Sequence, residues 1–180
     1  PDRFYGPYDG KGDVGDTKRR LEGAWERPIS VTYCGYAYVN QARGWLPDPV
    51  GGRMWIGFDK PSETVFMPFH VGVTSLPESL EVCDTGKFSR ESAWWAFNFL
   101  ANYAGLKYSY MHAEIASLQE ALERDCLKIL DVVESRALAL HAFSPARAAE
   151  HLTEFGRRNT ADTSAKWRNL ADALMVKFND

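Results

Sequence analysis

The run "VNQARGWLPD" places Asn40, Gln41 and Arg43 at the end of an apolar, strand-like stretch. Amide and guanidinium groups held at a strand end have fixed directions. They can meet the carboxylate of a ligand or the oxyanion that develops during acyl transfer. Alternation along a strand puts Gln41 and Arg43 on one face and Asn40 on the other. These three are the candidate substrate-binding residues, Gln41 and Arg43 first and Asn40 after them. The competing assignment for Arg43 is structural, an ion pair with Asp48 or Asp59.

Other chemistries find less support. The histidines, His70, His112, His141 and His151, include no pair at the i, i+3 or i, i+4 spacing that brings two imidazoles to one metal, so no metal site is expected. Nucleophilic catalysis by serine or cysteine needs a base beside it, and no GxSxG or cysteine-protease signature is present. Cys34, Cys83 and Cys126 are far apart, odd in number and without CxxC spacing, and read as buried thiols. The glycines of "GKGDVGD" and the pair Gly51-Gly52 lack the strand-then-helix setting of a phosphate loop and read as turns, and no cofactor is implied. Pro1 could serve as an N-terminal secondary amine, but it opens a loop-like stretch and reads as the boundary of a processed chain or of a piece of something longer.

The elements that must position these groups divide the chain. Residues 1–28 are rich in glycine, proline and charge and read as a loop-rich lead-in. Residues 29–75 are β-rich, with three antiparallel strands in "ISVTYCGYAYVNQA", "RMWIGFD" and "TVFMPFHVGV". Pro68 confines the third to an edge, a bulge or a strand end, because proline cannot donate to a ladder. Residues 89–180 are helical. Ser89 is a candidate N-cap for a helix with Trp94, Phe97, Ala101, Ala104, Tyr108 and Met111 on one face. A second stripe joins Ile115, Leu118, Leu122, Cys126, Ile129 and Val133, opposite a solvated face with Glu114, Glu120, Glu123, Arg124 and Lys128. Ser144 and Pro145 start a third helix that Gly156 would end, and a last helix spans about 163–177.

The 180 residues suit a single domain or a fragment of one, and strands followed by helices predict an α+β fold. Three strands alone leave a face and both edges uncovered, so the sheet is expected to continue in a further piece. A net charge of −3 with interspersed signs offers no footprint for nucleic acid or an anionic membrane, and no apolar run is long enough for a membrane-spanning helix. The aromatic share of 13% raises a non-enzymatic alternative, a carbohydrate- or peptide-binding module with Trp45, Trp55, Trp94 and Trp95 as stacking surfaces. Adjacent Trp94 and Trp95 point about 100° apart on a helix, however, and a helix apolar nearly all round is a buried one.

The segment "FSRESAWWAFNFLANYAGLKYSYM", with the long helix after it, resembles the bacterial dipeptidase A family, related to the secernins. "FYGPYDG", "RPISV", "QARGWLPDPVGGRMWIGFD", "TVFMPFHVGVT" and the ending "NLADALMVKFND" are similar to that family in the same order. The resemblance covers nearly the whole chain. It implies part of a four-layer αββα N-terminal-nucleophile hydrolase, in which the first residue of the mature enzyme, a cysteine, attacks the dipeptide carbonyl and its own α-amine acts as base. The resembling region is the family's C-terminal part, and Pro1 is not that cysteine. The resemblance therefore implies no catalytic residue in this chain, inactivity of the chain by itself, and dependence on an N-terminal half. A homo-oligomer is also compatible with it.

Overall fold

The computed structural model describes residues 29–31 and 33–179. The expected lead-in, 1–28, lies outside the described residues. The fold is α+β, as the order of strands and helices predicts. Strand β1 (Tyr36–Ala42) is followed by a single helical turn, α1 (Asp48–Gly51), and by β2 (Gly52–Phe58). A 3-10 turn (Pro61–Glu63) leads to β3 (Met67–His70), and another short turn, α2 (Glu78–Glu81), precedes three longer helices. These are α3 (Ala93–Ala104), α4 (Tyr108–His141) and α5 (Pro145–Lys177).

The sheet is antiparallel in the order β1-β2-β3. Pro68 lies on an edge strand opposite Trp55, where its missing N–H costs the ladder nothing. Paired residues share a face, so Asn40, Met54 and Phe69 lie on one side and Gln41, Arg53 and His70 on the other. The first face continues into the main core, where Met67 and Phe69 meet Phe97, Leu100, Met111, Ile115 and Trp167. Beneath the second face, Trp55 packs on Cys126, Leu130 and Phe155 of α4 and α5. Two antiparallel helices thus wrap the β3 edge and touch both faces.

The strong aromatic density of α3 is mainly core. Phe97, Leu100, Ala101 and Ala104 are fully buried, and Phe97 stacks on Trp167 with centroids 5.1 Å apart. Trp94 and Trp95 are half-buried, and each anchors a flanking loop through its indole N–H, to Gly35 O at 3.0 Å and Asp84 O at 2.9 Å. The two rings stand nearly perpendicular, at 80°, so they offer no common stacking platform.

Several sequence-based boundaries are corrected. The N-cap of α3 is Ser92, whose Oγ accepts from Trp95 N, while Ser89 Oγ accepts from Glu91 N in the preceding turn. Two serines three residues apart fit the same pattern, and the one adjoining buried Ala93 caps the helix. The α4 stripe slants along Leu122, Cys126, Leu130 and Glu134, leaving Ile129 about half exposed. Steps of four advance about 400°, so a ridge of such steps drifts round the helix, and the contact follows it. Glu123 is half-buried and accepts the Phe66 N–H at 3.0 Å. Cys83 is exposed and Cys34 only partly covered; of the three thiols only Cys126 is buried.

Ser144 caps α5 with Pro145 at its first position, as expected, but Gly156 does not end it. A Cβ there would come 3.2 Å from the Phe69 ring, so the glycine permits close approach of helix and strand rather than a left-handed cap. The helix expected at about 163–177 is the second half of this one rod.

Candidate functional site

β1 carries Asn40 and Gln41 to one end of the sheet, where the pleat separates them, and Arg43 follows just beyond its last residue. Asn40 faces a cleft of about 720 Å³ whose lining includes Met54, Ile56, Phe69, Val73 and Leu80. Gln41 points to the opposite face, level with Arg53 and His70. Arg43 follows β1 and is held by α1, donating to Val50 O at 2.7 Å and Gly51 O at 3.3 Å.

The cationic groups on this side converge on Glu134 of α4. Arg43 grips it with two parallel N–H bonds, the fork geometry that suits a carboxylate. Arg53 Nη1 donates to Glu134 Oε1 at 2.8 Å, and His70 Nε2 donates to the same oxygen at 2.7 Å. The Nε and Nη2 of Arg53 both donate to Gln41 Oε1. The Arg53 guanidinium also lies over the Trp55 ring, 4.7 Å from its centroid. Arg43 is therefore structurally paired, as the competing assignment held, but with Glu134 and with neither Asp48 nor Asp59.

Burial pushes the Glu134 carboxyl up; hydrogen bonds from Arg43 and His70, with the charges of Arg53 and Arg43, outweigh it and hold the group below its ordinary value. Burial pulls His70 down, and the Glu134 hydrogen bond and charge offset only part of this. His70 is accordingly neutral at pH 7, with its proton on Nε2 and Nδ1 left as a buried lone pair without a hydrogen-bond partner among the described residues. Two guanidinium cations are thus hydrogen-bonded to one carboxylate, with the charge of Asp131 also acting on Arg43.

Sequence reading missed Arg53, His70 and Glu134. One signal was available for Glu134: it continues the i, i+4 series of Cys126 and Leu130, where a carboxylate would be buried and need partners. Nothing in the sequence connects it to Arg43, 91 positions earlier.

A second polar cluster occupies the other end of β2. Asp59 adopts φ 62°, a left-handed conformation that aspartate tolerates better than most residues. Its Oδ1 accepts from Lys60 N at 2.8 Å and its Oδ2 from the Asn98 amide. Lys60 Nζ pairs with Glu63 at 2.9 Å and donates to Ala101 O at 3.1 Å. Glu63 is 1% exposed, and burial raises its carboxyl against the lowering effect of Lys60.

The three cysteines lie in different surroundings. Burial pushes Cys126 up to about 11, which leaves it protonated at neutral pH. Cys34 Sγ lies 3.3 Å from Tyr36 O, and exposed Cys83 sits in the loop between α2 and α3. Among the described residues no group of three or more His, Cys, Asp or Glu side chains is arranged to hold a metal.

Comparison with known proteins gives two concordant results. Dipeptidase A of Lactobacillus helveticus is 28% identical over 124 residues, which is 68% of this chain and 25% of the relative. The chain thus matches about a quarter of that relative's length. The sequence pattern of peptidase family C69 matches residues 3–121, a span that holds the whole sheet, Arg43, Arg53, His70 and all of α3, so the chain belongs to peptidase family C69.

Proposed function

We propose that this chain is the C-terminal part of a cysteine-type dipeptidase whose N-terminal cysteine nucleophile lies on a segment outside it. The observation that carries the reading is the family match over 3–121 together with the likeness to a dipeptidase. In the proposed enzyme, a thiol deprotonated by the adjacent α-amine attacks the peptide carbonyl, the amine of the second residue leaves, and water releases the first. This chain would supply sheet, covering helices and one wall of the substrate cleft. Asn40, Gln41 and Arg43 are the proposed substrate-side residues, each in a different role: Asn40 lines the cleft, Gln41 caps the Arg53 guanidinium on the other face, and Arg43 positions that guanidinium through Glu134 without itself touching substrate.

Support for an N-terminal half as partner comes from β1. Its outer edge has no strand beside it among the described residues, and Tyr36, Tyr38 and Val39 are each more than half exposed. An uncovered edge of this kind is a template for another strand.

The reading is tested by assaying dipeptide hydrolysis with a longer protein that joins this chain to an N-terminal half beginning with cysteine. Hydrolysis that disappears when this cysteine becomes alanine is expected. Dipeptide hydrolysis by the present chain alone would contradict the assignment of the nucleophile to another segment.

A further inference from the structure

We propose that the Nε/Nη2 edge of Arg53 is a receptor for the terminal carboxylate of a short peptide, and that Gln41 is the neutral side chain occupying it when no peptide is bound. This rests on the reading of the chain as part of a peptide hydrolase. It goes beyond that reading in naming the receiving group, the ligand atom received and the residue that gates it.

Three observations support it. The first is geometric. The Nε and Nη2 hydrogens of an arginine are parallel and match the two oxygens of a carboxylate, yet here both converge on the single amide oxygen of Gln41. A carboxylate would satisfy the edge with one oxygen for each N–H. The second is electrostatic. Glu134 is the one carboxylate bonded to both Arg43 and Arg53, Asp131 acts by its charge on Arg43, and the Nε/Nη2 edge of Arg53 meets a neutral amide where a ligand carboxylate would supply charge. Arg43 offers no free two-hydrogen edge to that anion, because four of its five N–H donors are engaged by Glu134, Val50 O and Gly51 O. The third is access. Arg53 is 9% exposed, whereas Gln41, which covers its free edge, belongs to the exposed strand β1. Opening the edge requires rotation of the Gln41 side chain to a second rotamer. Beneath it, Trp55 and the Glu134 bond hold the guanidinium in place, so the receptor is preorganised.

The far end of β2 does not compete for the other terminus of the same peptide. Residues 53 and 59 are six positions apart on an extended strand, about 20 Å, well beyond the span of a dipeptide. The acidic cluster around Asp59 and Glu63 is thus outside the proposed ligand's reach.

The test uses Gln41, an exposed residue whose replacement leaves the Glu134 network intact. The ¹⁵N resonance of Arg53 Nε and Trp55 emission are followed while the chain is titrated with alanyl-alanine, its C-terminal amide, and N-acetylaspartamide, whose only carboxylate is on a side chain. Saturable shifts with the free acid and none with the amide are expected. Gln41→Ala, by removing a competing neutral acceptor, should tighten binding about fivefold. Gln41→Glu places a carboxylate on the edge permanently and should weaken binding by about tenfold or more. Equal binding of acid and amide, equal binding of N-acetylaspartamide, or affinities unchanged in both variants would overturn the proposal. In the longer enzyme, dipeptide hydrolysis with an unaltered KM in Gln41→Glu would overturn it while leaving the dipeptidase reading intact. Selective binding of the acid by a longer protein that hydrolyses no dipeptide would sustain it while removing that reading.

Discussion

The two ends of β2 solve the same problem, buried charge, in opposite ways. At the Arg53 end two guanidinium groups are bonded to one carboxylate, with Asp131 acting on Arg43 only by its charge; at the Asp59 end two carboxyl groups, Asp59 and Glu63, exceed one ammonium, Lys60. An arginine does not lose its proton in a protein, so the positive charge at the first end is permanent and must be met by an anion or by solvent. A carboxyl can take up a proton, and burial already moves Glu63 that way. The acidic end can thus relieve its own excess, and the basic end keeps its charge. That difference is why the ligand proposal concerns Arg53 and not Lys60.

The sharpest way to break the comparison is to remove the acceptor at the basic end. Glu134→Ala leaves two arginines and a histidine without their carboxylate and should cost about 3–5 kcal/mol of stability, read from denaturant unfolding. A loss under about 1 kcal/mol would mean that water already solvates the cluster. At the acidic end, Lys60→Met should cost less, about 1–3 kcal/mol, because Glu63 can protonate once its cation is gone. A cost equal to that of Glu134→Ala would erase the distinction between the two ends. Asn98→Ala removes the donor to Asp59 Oδ2 and should cost about 1–2 kcal/mol. A stability change with no accompanying change near Asp59, followed by backbone amide resonances, would place the loss elsewhere on α3.

The smallest effect is one of sign. His70 binds its proton less readily folded than unfolded, so its contribution is present above about pH 6.5 and falls as pH drops toward its lowered folded value. Glu134 acts likewise in a more acidic window: its contribution is present above about pH 4.3 and is lost as pH falls through its depressed folded value. Glu63 runs the other way. Its raised folded value means the native state holds the proton more tightly, so stability rises as pH falls through that value and levels off below about pH 4.3. Glu63→Gln should therefore steepen the net loss of stability on acidification, by no more than about 1.4 kcal/mol per pH unit, the slope of one proton. An unchanged slope would show that Glu63 titrates alike in folded and unfolded chains.

Much of the fold was legible because it rests on local chemistry. Pro68 on an edge strand, Ser144 and Pro145 at the start of a helix, and the opposite faces of Asn40 and Gln41 all follow from backbone hydrogen bonding and a period of two. Where sequence reading failed, two local meanings competed. Gly156 looks like a helix stop and is a contact point for Phe69; Ser89 and Ser92 both look like caps. The candidate site was only half visible for a related reason. Asn40, Gln41 and Arg43 announce themselves at a strand end, but the partner that decides what Arg43 does arrives 91 residues later.

By itself, the sequence determined the order of strands and helices, the opposite faces of Asn40 and Gln41, and the resemblance to a peptidase family that the match over 3–121 bears out. These depend on periodicity, capping and motif, which act over a few residues at a time. Only the tertiary structure decided which charges meet. The α4 ridge brings Glu134 under β2 and makes Arg43 a paired anchor, leaving the Arg53 edge covered by a single glutamine. A buried charge takes its properties from whatever surrounds it in space, and the chain folds those surroundings together from segments that share no local pattern.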